Sequence, residues 1–182
     1  MKHLVIDPTH SDLGFKIRHL MVSNVKGTLT DYSGGMSYTS EDMSDAQIRF
    51  EAEVKSISTG NSDRDTHLNG EDFFNTERFP KMYFESTYLN LTDGKMRGEM
   101  TIKDTTRTID LEVEYNGKST DPWGNTKHGF EISGVINRSD FDLTWNATLE
   151  TGGVLLSDEV RLNLDVQMME LAGEMEPQSE MA

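Results

Sequence analysis

A period of two limits this chain more than any other feature. Val160, Leu162, Leu164, Val166 and Met168 alternate with Arg161, Asn163, Asp165 and Gln167. That spacing sends one set to one face of a β-strand and the other set to the opposite face. The same alternation runs through Leu13, Phe15, Ile17 and His19, through Val25, Gly27 and Leu29, and through Ile48, Phe50, Ala52 and Val54. Met82 with Phe84 opens a fourth row, and Met96, Gly98, Met100 and Ile102 form a fifth. Ile109, Leu111, Val113 and Tyr115 make a sixth, and Phe130, Ile132, Gly134 and Ile136 a seventh. With the row that ends at Met168, eight strands are predicted. Ser33-Gly34-Gly35 and Asn116-Gly117 read as turns ending strands two and six, and Asp93-Gly94 as a hairpin between strands four and five.

An all-β chain of this kind removes its exposed edges by closing, so the predicted fold is an eight-stranded antiparallel up-and-down barrel. The interior of such a barrel is either filled by side chains or holds one small ligand. In an up-and-down order the connections after strands one, three, five and seven share one rim. His19-Leu20, the segment from Asn61 to Pro80, Asp104-Thr105-Thr106 and the stretch from Arg138 to Asn146 therefore meet there.

Between strands three and four the alternation stops. Arg64-Asp65-Thr66-His67-Leu68 leads into Asn69-Gly70-Glu71-Asp72-Phe73-Phe74 and then Phe79-Pro80. Charges, a capping Asn or Gly and paired aromatics predict a short helical plug in the barrel mouth.

With 182 residues the chain suits one domain, placed at 1–170, followed by a flexible acidic tail at 171–182. A formal charge of −15 opposes binding to nucleic acid or an anionic membrane surface. No run reaches the ~20 apolar residues of a membrane span. The opening residues carry no apolar leader, which predicts a cytoplasmic location and is equally compatible with a mature periplasmic form. Cysteine is absent, so no disulfide or thiolate chemistry is available. The histidines lack zinc-type spacing and His10-Ser11-Asp12 lies along one strand, where neighbours face opposite ways; no metal, catalytic or cofactor site is predicted.

Several ordered pieces resemble the YceI family of lipocalin-like lipid-binding proteins. Ile6-Asp7-Pro8-Thr9-His10-Ser11 with Phe15, His19-Leu20 and Val25-x-Gly27 matches the family opening. Ile57-x-Thr59, Arg64-Asp65-x-His67-Leu68 and Asp72-Phe73-Phe74 match its centre, and Thr101-Ile102 with Thr106-Arg107 its middle turn. Asn137-Arg138-x-Asp140-Phe141, Trp145-Asn146 and Asp158-x-Val160 match its end. The resemblance implies a barrel with an apolar tunnel for a polyisoprenoid, quinone tail or fatty-acid derivative, a binding or transport role without catalysis, and a homodimer. Asp104 and Asp142 stand where the family usually has Gly; Asp tolerates left-handed backbone, but two added carboxylates at the rim count against an anionic head group such as pyrophosphate.

On this reading Leu13, Phe15, Ile17, Phe50 and Phe84 line the tunnel, with Met100, Phe130, Ile136 and Leu164 on the other strands. Phe73, Phe74 and Trp145 also line it, as do Gly27, Gly98 and Gly134, whose missing side chains leave room for ligand. His19, Arg64, Asp65, His67, Arg138, Asp140 and Asn146 form a polar rim, either holding a head group or anchoring the plug, with a carboxylate as the partner a buried Arg138 needs. The alternatives are a lipid-modifying enzyme using His19 or His67 as acid or base, and a structural or stress-response protein with a filled core.

Overall fold

The computed structural model describes residues 1–172. Strands one to six, each antiparallel to its neighbours, are β1 Lys2–Ile6, β2 Asp12–His19, β3 Ser23–Leu29, β4 Tyr32–Tyr38, β5 Gln47–Glu53 and β6 Ile57–Ser58. The remainder are β7 Lys81–Asn90, β8 Lys95–Ile102, β9 Thr105–Thr120, β10 Thr126–Asn137 and β11 Leu156–Glu170. Three staves of the barrel are broken strands: β1 continues as β2, β3 as β4 and β5 as β6, so eleven strands build eight staves. The continuous β11 closes the cylinder, pairing with β2 at Leu164↔Leu13 and with β1 at Leu4↔Glu170. The predicted closed eight-stranded antiparallel barrel is the observed fold.

The break between β1 and β2 follows from Asp7-Pro8. Proline has no amide hydrogen for the ladder, and the Asp7 carboxylate caps the short turn by accepting from Thr9 N at 3.1 Å. Ser11 Oγ then takes over the missing main-chain position, donating to Asp7 O at 2.7 Å and accepting from Gln167 N at 3.0 Å. The ladder is thereby carried across the kink.

Two predicted turns are corrected. Gly34 and Gly35 lie inside β4 rather than ending a strand, because β1 crosses so closely that a Cβ on Gly35 would stand 2.6 Å from Leu4 O. Asn116-Gly117 is a bulge within β9: Tyr115 pairs with Phe130 and Gly117 with Gly129, leaving Asn116 unpaired. The left-handed residue of the β8–β9 hairpin is Lys103, with φ 58°, and not Asp104, whereas Asp142 does take left-handed backbone, with φ 59°.

Helix α1, Ser62–Asn69, occupies the predicted plug position between staves three and four. Asn61 caps it, its Oδ1 accepting from Arg64 N at 3.0 Å. Buried side chains pack the far end of the barrel. Leu4, Met36, Tyr38 and Met168 are buried there, and Tyr115 Oη hydrogen-bonds His128 Nδ1 at 2.8 Å, with Glu170 3.3 Å from the other ring nitrogen. The outer faces carry cross-strand ion pairs such as Arg97–Asp110 at 2.7 Å. No helix among the described residues is long and apolar enough to cross a membrane. Residues 173–182 of the predicted tail lie outside the described residues.

Candidate functional site

The inward rows do not meet in the middle. They enclose a cavity of about 380 Å³, which excludes a solid interior. Leu13, Phe15 and Ile17 of β2 line it beside Leu164 of the neighbouring β11 and Phe130 and Ile136 of β10, and Phe50, Phe84 and Met100 line it from β5, β7 and β8. The wall is hydrocarbon over nearly its whole length. Among the described residues its only charged or strongly polar members are Thr59, Arg64 and His67 from the plug side and His19 and Arg138 from the strand ends, and none of the described Asp or Glu residues borders it.

The odd-numbered connections share the mouth, as an up-and-down order requires. Lys103 Nζ donates to Asp142 O at 3.1 Å, Leu20 N to Leu155 O at 2.9 Å, and the His67 and Trp145 rings meet edge-on with centroids 4.9 Å apart. Phe73 completes an aromatic cluster, 5.0 Å from His67 and 5.2 Å from Trp145. These rings and Phe74 border the cavity from the plug side.

The predicted rim separates into groups that touch the cavity and groups that hold the plug and loops. His67 Nε2 is tied to Asp72 at 2.9 Å, which fixes its ring. Asp65 Oδ1 accepts from Thr59 N at 3.0 Å and from the Thr59 hydroxyl, while Arg64 Nη2 donates to Thr59 O at 2.8 Å, so adjacent opposite charges clamp α1 to the end of β6. Asn146 staples the return loop, its Nδ2 donating to Leu156 O at 2.8 Å and its Oδ1 accepting from Leu156 N at 3.0 Å. Asp65 and Asn146 stand behind the wall, and Asp140 is exposed outside it.

Arg138 departs from the carboxylate partner predicted for it. It is buried, yet its Nε donates to Ser157 O at 2.9 Å and its Nη1 to Leu143 O at 2.6 Å and Trp145 O at 2.8 Å, all main-chain carbonyls. These bonds shape the loop after β10. Burial lowers the affinity of the guanidinium for its proton, opposed in part by the charge of Asp158.

The three glycines are also corrected, for none borders the cavity. Their missing side chains leave space that neighbours fill: Phe15 lies over Gly27, Phe84 over Gly98 and Leu111 over Gly134. Gly27 and Gly134 instead border an open hollow of about 790 Å³ on the outside of the sheet, whose charged lining includes Lys16, Lys26, Asp110 and Arg161 and suits solvent. Thr59, Leu143, Leu155 and Leu156 belong to the wall but lie at strand ends or in loops. Alternation gave no signal there; only Leu155-Leu156 beside a predicted strand was available as a cue.

The YceI-like domain profile matches residues 4–168. A UPF0312 protein of Staphylococcus epidermidis is 39% identical over 162 residues, spanning 88% of this chain and 94% of the relative. The crystal structure of a Campylobacter jejuni YCEI protein superposes with a TM-score of 0.68 at 34% identity, covering 93% of this chain and 96% of that one. A polyisoprenoid binding domain from Saccharophagus degradans, implicated in plant cell wall breakdown, shares the fold, with a TM-score of 0.64 at 15% identity over 91% of this chain and 97% of that domain.

Proposed function

The chain belongs to the YceI-like domain family, and from that membership together with its cavity we propose that it binds one long apolar chain inside the barrel and shields it from water. The observation that carries this is a hydrocarbon-walled chamber of about 380 Å³ whose lining includes the aromatics Phe73, Phe74 and Trp145. Its size falls in the range of ~300–1,000 Å³ usual for ligand pockets. Each methylene moved from water into such a wall contributes ~0.8 kcal/mol before the cost of ordering the chain. Affinity therefore needs few polar contacts.

The polyisoprenoid named for the Saccharophagus domain is one class of chain that suits this wall; isoprenoid quinones and fatty-acid derivatives are others. Sequestration or transport is the favoured role over turnover. Among the described residues Thr59 is the one hydroxyl-bearing side chain on the wall, and no carboxylate is part of it. A homodimer, which the family resemblance implies, completes the proposal.

Native purified protein extracted with organic solvent and analysed by mass spectrometry tests the binding role. A near-stoichiometric apolar molecule supports it. Empty protein that gains no thermal stability from farnesol, a short-chain quinone or a fatty amide contradicts it, because a ligand bound only by the native state raises stability.

A further inference from the structure

Buried charge is the feature of this cavity that an apolar tail leaves unexplained, and Arg138 supplies it. The residue is 6% exposed and borders the chamber. A guanidinium has five N–H donors, and the bonds to Ser157, Leu143 and Trp145 use Nε and both hydrogens of Nη1. Nη2 has no protein acceptor among the described residues. It is not sealed in protein either: Asn69 Oδ1 is the one enclosed side-chain polar atom left unpaired there. The Nη2 edge is therefore neither bonded nor fully enclosed, and Arg138 is a residue of the cavity wall.

Asp158, the acid whose charge acts on Arg138, forms no hydrogen bond or ion pair with that edge. Asp158 spends its oxygens on Ser139, accepting from its N at 3.1 Å and its Oγ at 2.8 Å, and it makes no ion pair with Arg138. Asp104 and Asp142 are no obstacle to an anion: neither borders the cavity, and the Asp142 side chain is 71% exposed beside Lys103. In a chain of net charge −15, a chamber bordered, among the described residues, by two arginines, two histidines and no carboxylate is electrostatically set apart.

Building on the proposed apolar-chain function, we propose that the ligand is a free fatty acid whose carboxylate sits on the Nη2 edge of Arg138 with its tail in the cavity. A carboxylate matches the planar fork of a guanidinium and replaces the hydration that burial removed. Charge favours it over phosphate. A phosphate monoester carries ~−1.5 to −2 at pH 7, whereas Arg138 is the one buried cation on the wall; Arg64 is exposed and bonded to Thr59, and His67 is bonded to Asp72. At the ~30 Å³ that a water-sized group occupies, 380 Å³ takes a tail on the order of a dozen methylenes.

The test holds the tail constant and changes the head. Dissociation constants of the intact protein are measured for myristic acid, 1-tetradecanol and tetradecyl phosphate by displacement of a fluorescent fatty-acid probe. Myristic acid is expected to bind at least ~10-fold tighter than the alcohol, the ~1.4 kcal/mol of one charge-assisted contact, and tighter than the phosphate. Arg138→Gln, its fold checked by circular dichroism, should bring acid and alcohol within about threefold of each other. Equal binding of acid and alcohol overturns the proposal, and so does tighter binding of the phosphate. If the variant does not fold, the three-head comparison on the unaltered protein decides. Failure of all three ligands to bind would instead overturn the apolar-chain function itself.

Discussion

Phe15 and Gly27 face one another across the β2–β3 pair, and the ring of the first occupies the space where the second has no side chain. The glycine lets an aromatic ring lie down on the barrel wall. A Cβ at position 27 would stand 2.7 Å from Phe15 Cε1, the end of a side chain that can swing away. Gly27→Ala should therefore fold with little loss of stability but push the ring into the chamber and weaken uptake of a long chain. Titration with a fluorescent fatty-acid probe checks this; unchanged affinity would mean that Phe15 has another place to go.

Gly98 tolerates less. A Cβ there would stand 2.5 Å from Glu85 O, a backbone atom of the paired strand, as well as colliding with the Phe84 ring. Overpacking of this kind costs about 1–3 kcal/mol, so Gly98→Ala should lower the urea midpoint well below that of Gly27→Ala. Gly134→Ala should resemble Gly27→Ala, because the Leu111 Cδ2 that would lie 2.5 Å from the new Cβ is the end of a side chain and the nearest backbone atom, Asp110 O, lies 3.5 Å away. Equal midpoints for Gly27→Ala and Gly98→Ala would contradict the packing described.

The plug depends on a charged clamp. Asp65→Ala removes the acceptor of Thr59 N and of the Thr59 hydroxyl, and hydrogen bonds to charged groups contribute ~1.5–3 kcal/mol. Hydrogen exchange of residues 59–69 should accelerate at least ~10-fold while β11 keeps its protection, and bound ligand should leave faster. Uniform acceleration over the whole barrel would show that the clamp supports the fold rather than the plug.

Acid should loosen the kink between β1 and β2. Hydrogen bonds from the Thr9 hydroxyl, then from His10, hold the Asp7 carboxyl well below the ordinary carboxylate range, with Lys127 adding to them. Its folded-state pKa is thus depressed, and the stability it contributes is present above the unfolded value of ~3.9. That contribution is lost as pH falls through the folded value. Asp45, held at about 2 chiefly by the Thr39 hydroxyl, acts in the same direction. Urea midpoints of the unaltered protein and Asp7→Asn should differ at neutral pH and converge as pH falls below about 4. A difference constant with pH would contradict this.

Much of the barrel was legible because alternation is set by backbone geometry. Val160 to Met168 and Leu13 to Ile17 reported their inner faces directly, and strand order followed from edge closure. Glycine misled: Gly34-Gly35 reads like a turn but permits close crossing by β1, and Gly117 reads like an ending but forms a bulge. The plug was visible because it broke the period. Which rim groups touch the cavity was not, since Arg64 and Asp65 are neighbours in sequence and only the clamp on Thr59 sends one to the wall and the other behind it. Arg138 was readable as buried, but its carbonyl partners depend on a loop path that no periodicity encodes.

The most direct measurement is a crystal structure of the protein loaded with a long-chain ligand. Continuous density for one chain running inside the barrel between Phe15, Met100, Phe130 and Leu164 is the predicted result. A chain held on the outer surface, or an interior that side chains fill in the crystal, would contradict the account.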